Sequence, residues 1–234
     1  MNEPLLLFLF IFLSVDALAL FFLLIFKIKK EMKRNKIRHF GDRAEEEVSL
    51  LLEEEFPGCV ILNNVLLKTS RGSTQIDHIL LSKWGIYVIE TKSHNGKITP
   101  GKKEWIQIYG EKVVRFHSPL LQNEIHKEAL SRVLKKYRSF AHIPVKGVVV
   151  FTSKKLIFEK QLDGVVRLHE LSPYIKSGGR TRNRRTLLTA SLSEKYLSRQ
   201  KIAALEKAIR QNTIRSSRKR KLHEKNIRRL DRNL

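Results

Sequence analysis

Cysteine is nearly absent: the 234 residues hold one, Cys59. That excludes an intramolecular disulfide and any cysteine-rich zinc site, and a disulfide-free chain fits a reducing compartment. Cys59 opens an apolar run, CVILNNVLL, and reads as a small core residue. No His-x-x-x-His spacing offers zinc an alternative. Acidic charge is scarce as well. Asp and Glu number 23 against 46 Lys and Arg, a formal net charge of +23. Such an excess favours a polyanion, meaning nucleic acid, anionic lipid or both, without choosing between them. No internal repeat is visible. Met1-Asn2-Glu3-Pro4 carries no Lys or Arg, which argues against a cleaved signal peptide.

What is present begins with an apolar run over 5–26, interrupted once by Asp16. A helix of about 22 residues is about 33 Å long, enough to cross a bilayer core. Lys27, Lys29, Lys30, Lys33, Arg34, Lys36 and Arg38 follow at once. The positive-inside rule then predicts a single-pass transmembrane helix over 5–26, with the N-terminus outside and the rest of the chain in the cytoplasm. The basic juxtamembrane segment, 27–38, would rest on anionic lipid of the cell membrane.

Periodicity changes after Gly41. In AEEEVSLLLEEEF, residues Ala44, Val48, Leu51, Leu52 and Phe56 share one helical face. Glu45 lies nearest that face and Glu46 points away from it. Pro57-Gly58 stops the helix. Strands are expected over 59–67, 74–82 and 85–91, then a short hairpin within 96–110 holding Trp105, which reads as core rather than as a residue stacking on a base. Ser118-Pro119 opens a second helix, and a strand over 147–152 looks buried on both faces. The pattern α-β-β-β-α-β predicts an α/β domain around a mixed sheet, residues 39–153. A peripheral extension with a basic hinge covers 154–190, including a possible edge strand at 165–168. Residues 191–234 form a basic helix, opened by a Ser191…Glu194 capping box, and a tail from Ser216 that is disordered or ordered by nucleic acid.

The chemistry gathers in STQIDHILLSKWGIYVIETKS, residues 73–93. Asp77 stands on one strand; Glu90 and Lys92 stand two apart on the next, and so on the same face. Charges inside apolar strands are costly unless paired or bound to something. Asp77 and Glu90 are hard oxygen donors suited to Mg²⁺ or Mn²⁺ with water in the remaining positions. Glu45 can reach the same metal from the first helix. Lys92 can orient or deprotonate a water, or offset charge developing on a phosphate. Gln122 and His126 lie one turn apart on the second helix and can face one site. His78 reads as a hydrogen-bonded core histidine and His126 as a residue flanking the site.

These residues carry a family pattern. Gly41…Glu45, Gln75-Ile76-Asp77-His78, Gly85 to Lys92 and Pro119…Gln122-Asn123 make 39–153 resemble the nuclease-related domain, NERD, which is similar to PD-(D/E)XK nucleases. The resemblance implies a restriction-endonuclease-like core. It also implies Asp77, Glu90 and Lys92 as the motif residues, Glu45 as the helix-borne acid and Gln122 as the second-helix glutamine. Ala44 departs from the pattern, standing where the family usually has glycine. Two functions follow. One is a membrane-anchored, Mg²⁺-dependent nuclease hydrolysing DNA, with Asp77, Glu90 and Glu45 at the metal. The other is a non-catalytic module tethering DNA to the membrane through its basic segments. Only the first requires a metal.

Overall fold

β-branched and leucine-rich runs, bounded by glycine turns, build the centre of the domain. The computed structural model describes residues 3–70, 72–83, 85–179, 197–218 and 221–223, without the side chains of 3–19, 33–34 and 36–38. Trp84, the Ser191…Glu194 capping box, most of the basic hinge and the tail beyond 223 lie outside the described residues. The strands are β1 (Val60–Thr69), β2 (Gly72–Ser82), β3 (Gly85–Lys92), β4 (Gly96–Thr99), β5 (Glu104–Tyr109), β6 (Lys112–His117), β7 (Val145–Phe151), β8 (Leu156–Phe158) and β9 (Val165–Arg167). The helices are α1 (Glu3–Glu55), α2 (Pro119–Leu134), α3 (Leu168–Lys176) and α4 (Arg199–Asn212).

Two mixed sheets result. The larger has the order β1-β2-β3-β7-β9, antiparallel through β3 and parallel beyond it. The smaller has the order β6-β5-β4-β8, with β4 and β8 parallel. This mixed α/β arrangement is compatible with a nuclease-like core. It holds more strands than expected, because the segment after β3 is a sheet of its own rather than one hairpin.

Alternation along β2 and β3 sorts the core into two layers. Ile79, Leu81, Ile86 and Val88 pack with Ala129, Leu130, Val133 and Leu134 of α2 and with Leu205, Ala208 and Ile209 of α4. Leu80, Tyr87 and Ile89 pack with Val48, Leu52 and Phe56 of α1 and with Leu171, Tyr174 and Ile175 of α3. Each fully buried Leu, Ile or Val stabilises by about 1.5–3 kcal/mol, so the four helices hold the sheet from both faces. Trp105 stacks on Phe151 at 6.2 Å beneath the smaller sheet and is core, as expected.

The chain divides into two units, Met1–Arg43 and Ala44–Leu234. Within the first, the expected membrane anchor is corrected. Among the described residues no helix is long and apolar enough to cross a membrane. The apolar stretch whose side chains are described is 20–26, followed by Lys27, Lys29 and Lys30. The rest of 5–26 has its side chains outside the described residues. The expected single-pass cell-membrane location is therefore not supported, and neither is the membrane as partner. The tail from Ser216 also differs from expectation where it is described. Residues 217–218 and 221–223 are helical, and the buried His223 ring lies 3.1 Å from the Ser73 hydroxyl.

Candidate active site

The site forms where β2 loses its regularity. On β2, Thr74 hydrogen-bonds to α2 and Ile76 packs in the α2 layer, as do Ile79 and Leu81. Strict alternation cannot place 76 and 79 on one face, so the facing of the strand changes between them, at Asp77-His78. β1 shares the change, with Leu62 and Val65 both in the α2 layer. The β1–β2 register is the same on either side, Asn63↔His78 and Val65↔Ile76 flanking Asn64 and Asp77, and the β2–β3 ladder stops at His78↔Ile89. Asn64, opposite Asp77, takes the left-handed φ of 55°. The released Asp77 carboxylate accepts the Thr91 N–H through Oδ2 at 2.8 Å, which fastens β2 to β3 beside Glu90.

Glu90 and Lys92 share a face with Val88, toward α2. The Lys92 ammonium donates to Glu90 Oε1 at 2.6 Å and to Gln122 Oε1 at 3.2 Å. The other Glu90 oxygen, Oε2, lies 2.9 Å from His126 Nε2, and His126 Nδ1 lies 2.7 Å from the Thr74 hydroxyl. A polar chain thus runs Thr74, His126, Glu90, Lys92, Gln122, with Glu90 and His126 buried and Lys92 partly open. Helix α2 is placed for this by Ser118, whose side chain caps it by accepting the Leu121 N–H. Asn123 fixes it further, donating to the carbonyls of Val88 at 3.3 Å and Val148 at 3.0 Å.

The two carboxyls are driven apart electrostatically. Burial raises the Asp77 carboxyl well above its ordinary value, helped by the neighbouring Glu90 and then Glu45 charges, against Lys92 and the Thr91 N–H. Burial also pushes Glu90 up, but the Lys92 ammonium and the His126 ring outweigh it and hold Glu90 below the usual carboxylate range. Burial lowers His78 to about 4, and its Nδ1 pairs with Asn63 Oδ1 at 2.9 Å, which makes it a core histidine.

The structure therefore brings Asp77, Glu90, Lys92 and Gln122 together, with the half-buried Glu45 acting on Asp77 through its charge. Among the described residues, no three or more His, Cys, Asp and Glu side chains converge to hold a metal, so Asp77, Glu90 and Glu45 are not drawn into one three-ligand group. The residues still fit Mg²⁺, which keeps most of its waters and needs one or two carboxylates. Asp77 and Glu90 supply hard oxygens, and two crowded acids are the environment a cation relieves. Sequence reasoning missed the Thr74–His126 link and the Asn123 staple. The Gln122-Asn123 dipeptide was a visible signal for the latter.

No solved structure matches this chain. An uncharacterized protein of Bacillus anthracis is 32% identical over 113 residues, covering 47% of this chain and 51% of that protein. The chain thus spans about half the length of the curated relative it matches. With the site geometry in view, residues 40–152 match the family model of the nuclease-related domain.

Proposed function

We propose that this protein is a metal-dependent nuclease that hydrolyses phosphodiester bonds of DNA at the Asp77, Glu90 and Lys92 site. One observation carries the reading: Lys92, partly open, is held between Glu90 and Gln122 beside a second carboxyl, Asp77, whose Oδ2 accepts the Thr91 N–H. A structural ion pair needs Glu90 and Lys92 alone; it has no use for Asp77 crowded against them. Asp77 and Glu90 would hold Mg²⁺ or Mn²⁺, which when bound offsets phosphate charge and acidifies a coordinated water.

The chain's own groups divide the remaining work. Lys92 orients the attacking water or neutralises charge on the phosphate oxygens, and Gln122 fixes where its ammonium sits. His126 holds the Glu90 carboxylate in one orientation, and Thr74 holds His126. Glu45 adds negative potential at Asp77. The net charge of +23 supplies attraction for the polyanion.

The test is DNA cleavage by the full chain across a Mg²⁺ titration, with a chelator control. Lys92→Ala and Asp77→Ala should each lower the rate by about 10²–10⁴-fold, the range for losing a positioned proton-transfer or charge-stabilising group. Cleavage that needs no metal, or that survives both substitutions, would overturn the proposal.

A further inference from the structure

Lys92 and Gln122 also form one wall of a cleft of about 550 Å³, whose opposite wall is β6 with Val113, Val114, Arg115, Phe116 and His117. Its floor includes His94, whose ring stacks on Phe116 at 4.1 Å and 25°. Among the described residues no acid lines this cleft. Its cations are Lys92 and Arg115, and the 3.7 Å pairing of Arg115 with Glu104 is loose and exposed, too weak to withhold the guanidinium from a phosphate. Val113 and Val114 are apolar yet exposed, on the outer strand of the smaller sheet. His94 Nδ1 is buried with no hydrogen-bond partner among the described residues.

Cations beside apolar and aromatic surface suit a ligand that is anionic at one end and flat and apolar at the other. A nucleotide is such a ligand. The volume lies within the range of about 300–1,000 Å³ typical of small-ligand pockets. A base can enter a recess of that kind only after leaving its stack, which costs least in a single strand.

We infer that the cleft between Lys92 and β6 receives the unstacked base next to the phosphate under attack, so that the substrate is single-stranded DNA. This rests on the nuclease reading of the Lys92 site. The base packs against Val114 and the Phe116–His94 pair, which share one face of β6, while Arg115 takes a flanking phosphate. The smaller sheet is thereby a substrate-binding wall.

The test measures binding of the full chain to one fluorescein-labelled DNA sequence, single-stranded or as blunt duplex, by anisotropy in chelator. Single strand should bind at least about tenfold more tightly than duplex. Phe116→Ala and Val114→Asp should each weaken single-strand binding about fivefold or more, within the loss seen on removing a base-stacking contact, and leave duplex binding within about twofold. Val114 is 48% exposed, so Val114→Asp keeps the fold even where Phe116→Ala does not, and its unfolding midpoint verifies that. Equal affinity for both forms, or a folded Val114→Asp with unchanged single-strand binding, overturns the inference. Mg²⁺-dependent cleavage of the two forms is measured alongside. Duplex cleavage as fast as single-strand cleavage and indifferent to Val114→Asp removes the cleft proposal alone. Single-strand preference without cleavage of either form removes the hydrolytic reading alone.

Discussion

Asp77 carries a conflict that its neighbours do not resolve. Its Oδ2 has one backbone donor, while burial and the Glu90 and Glu45 carboxylates oppose its ionisation. A carboxyl whose folded pKa is raised contributes stability at low pH, and that contribution is lost as pH rises through the folded pKa. Asn in its place can still accept the Thr91 N–H and never ionises. Asp77→Asn should therefore be more stable than the parent at neutral pH without metal, by about 0.5–2 kcal/mol. The advantage should shrink as pH falls toward 4 and the parent's Asp77 is protonated. Urea unfolding at pH 4 and pH 7.5 measures both. The same variant should cleave DNA poorly, a stability gain at the cost of activity. An advantage equal at both pH values would show that charge is not its origin.

Among the elements, α2 matters most, since it carries Gln122, Asn123 and His126 to the sheet. Its seat is Gly147 on β7. A Cβ built there would lie 2.6 Å from Lys127 Cδ and 3.0 Å from Asn123 Nδ2. Lys127 can swing aside, but Asn123 is held between two carbonyls. Gly147→Ala should thus lift α2, costing about 1–3 kcal/mol and lowering cleavage, because Gln122 and His126 move with Asn123. Thermal unfolding and cleavage rates check this; an unchanged rate would mean that α2 yields without disturbing the site. This staple was not legible from the chain, because it joins residues 35 and 25 positions apart whose register only packing decides. Asp77, Glu90 and Lys92 were legible for the opposite reason. A charge inside an apolar strand is a local anomaly, readable without knowing any partner. The parallel pairing of β4 with β8 crosses from Gly96 to Leu156 and leaves no local mark, so from sequence the smaller sheet reads as a mere hairpin. The apolar run over 5–26 misled by the same locality: length and hydropathy alone suggested a span.

At the scale of the whole molecule, the segment that matches the nuclease-related domain is not the whole folding unit. The match ends at residue 152, just after β7. The fifth strand of the main sheet, β9, pairs with β7 beyond that point, and α3 and α4 follow. Val165 and Val166 are buried, as are Leu171, Ile175, Leu205 and Ile209. Leu205 and Ile209 enter the same core layer as α2, and Leu171 and Ile175 the layer of α1. A chain cut after 152 loses them all and uncovers their partners. At about 1.5–3 kcal/mol for each buried aliphatic side chain, the six together outweigh or match a net stability of about 5–15 kcal/mol. Residues 40–152 alone should therefore lack a cooperative unfolding transition, whereas the full chain should show one. A milder change locates the cause: Ile209→Ala in the full chain should cost about 2–5 kcal/mol, although α4 lies outside the matched segment. Denaturant unfolding monitored by circular dichroism measures both. A cooperative transition in the fragment at the midpoint of the full chain would mean that the later elements only decorate the core.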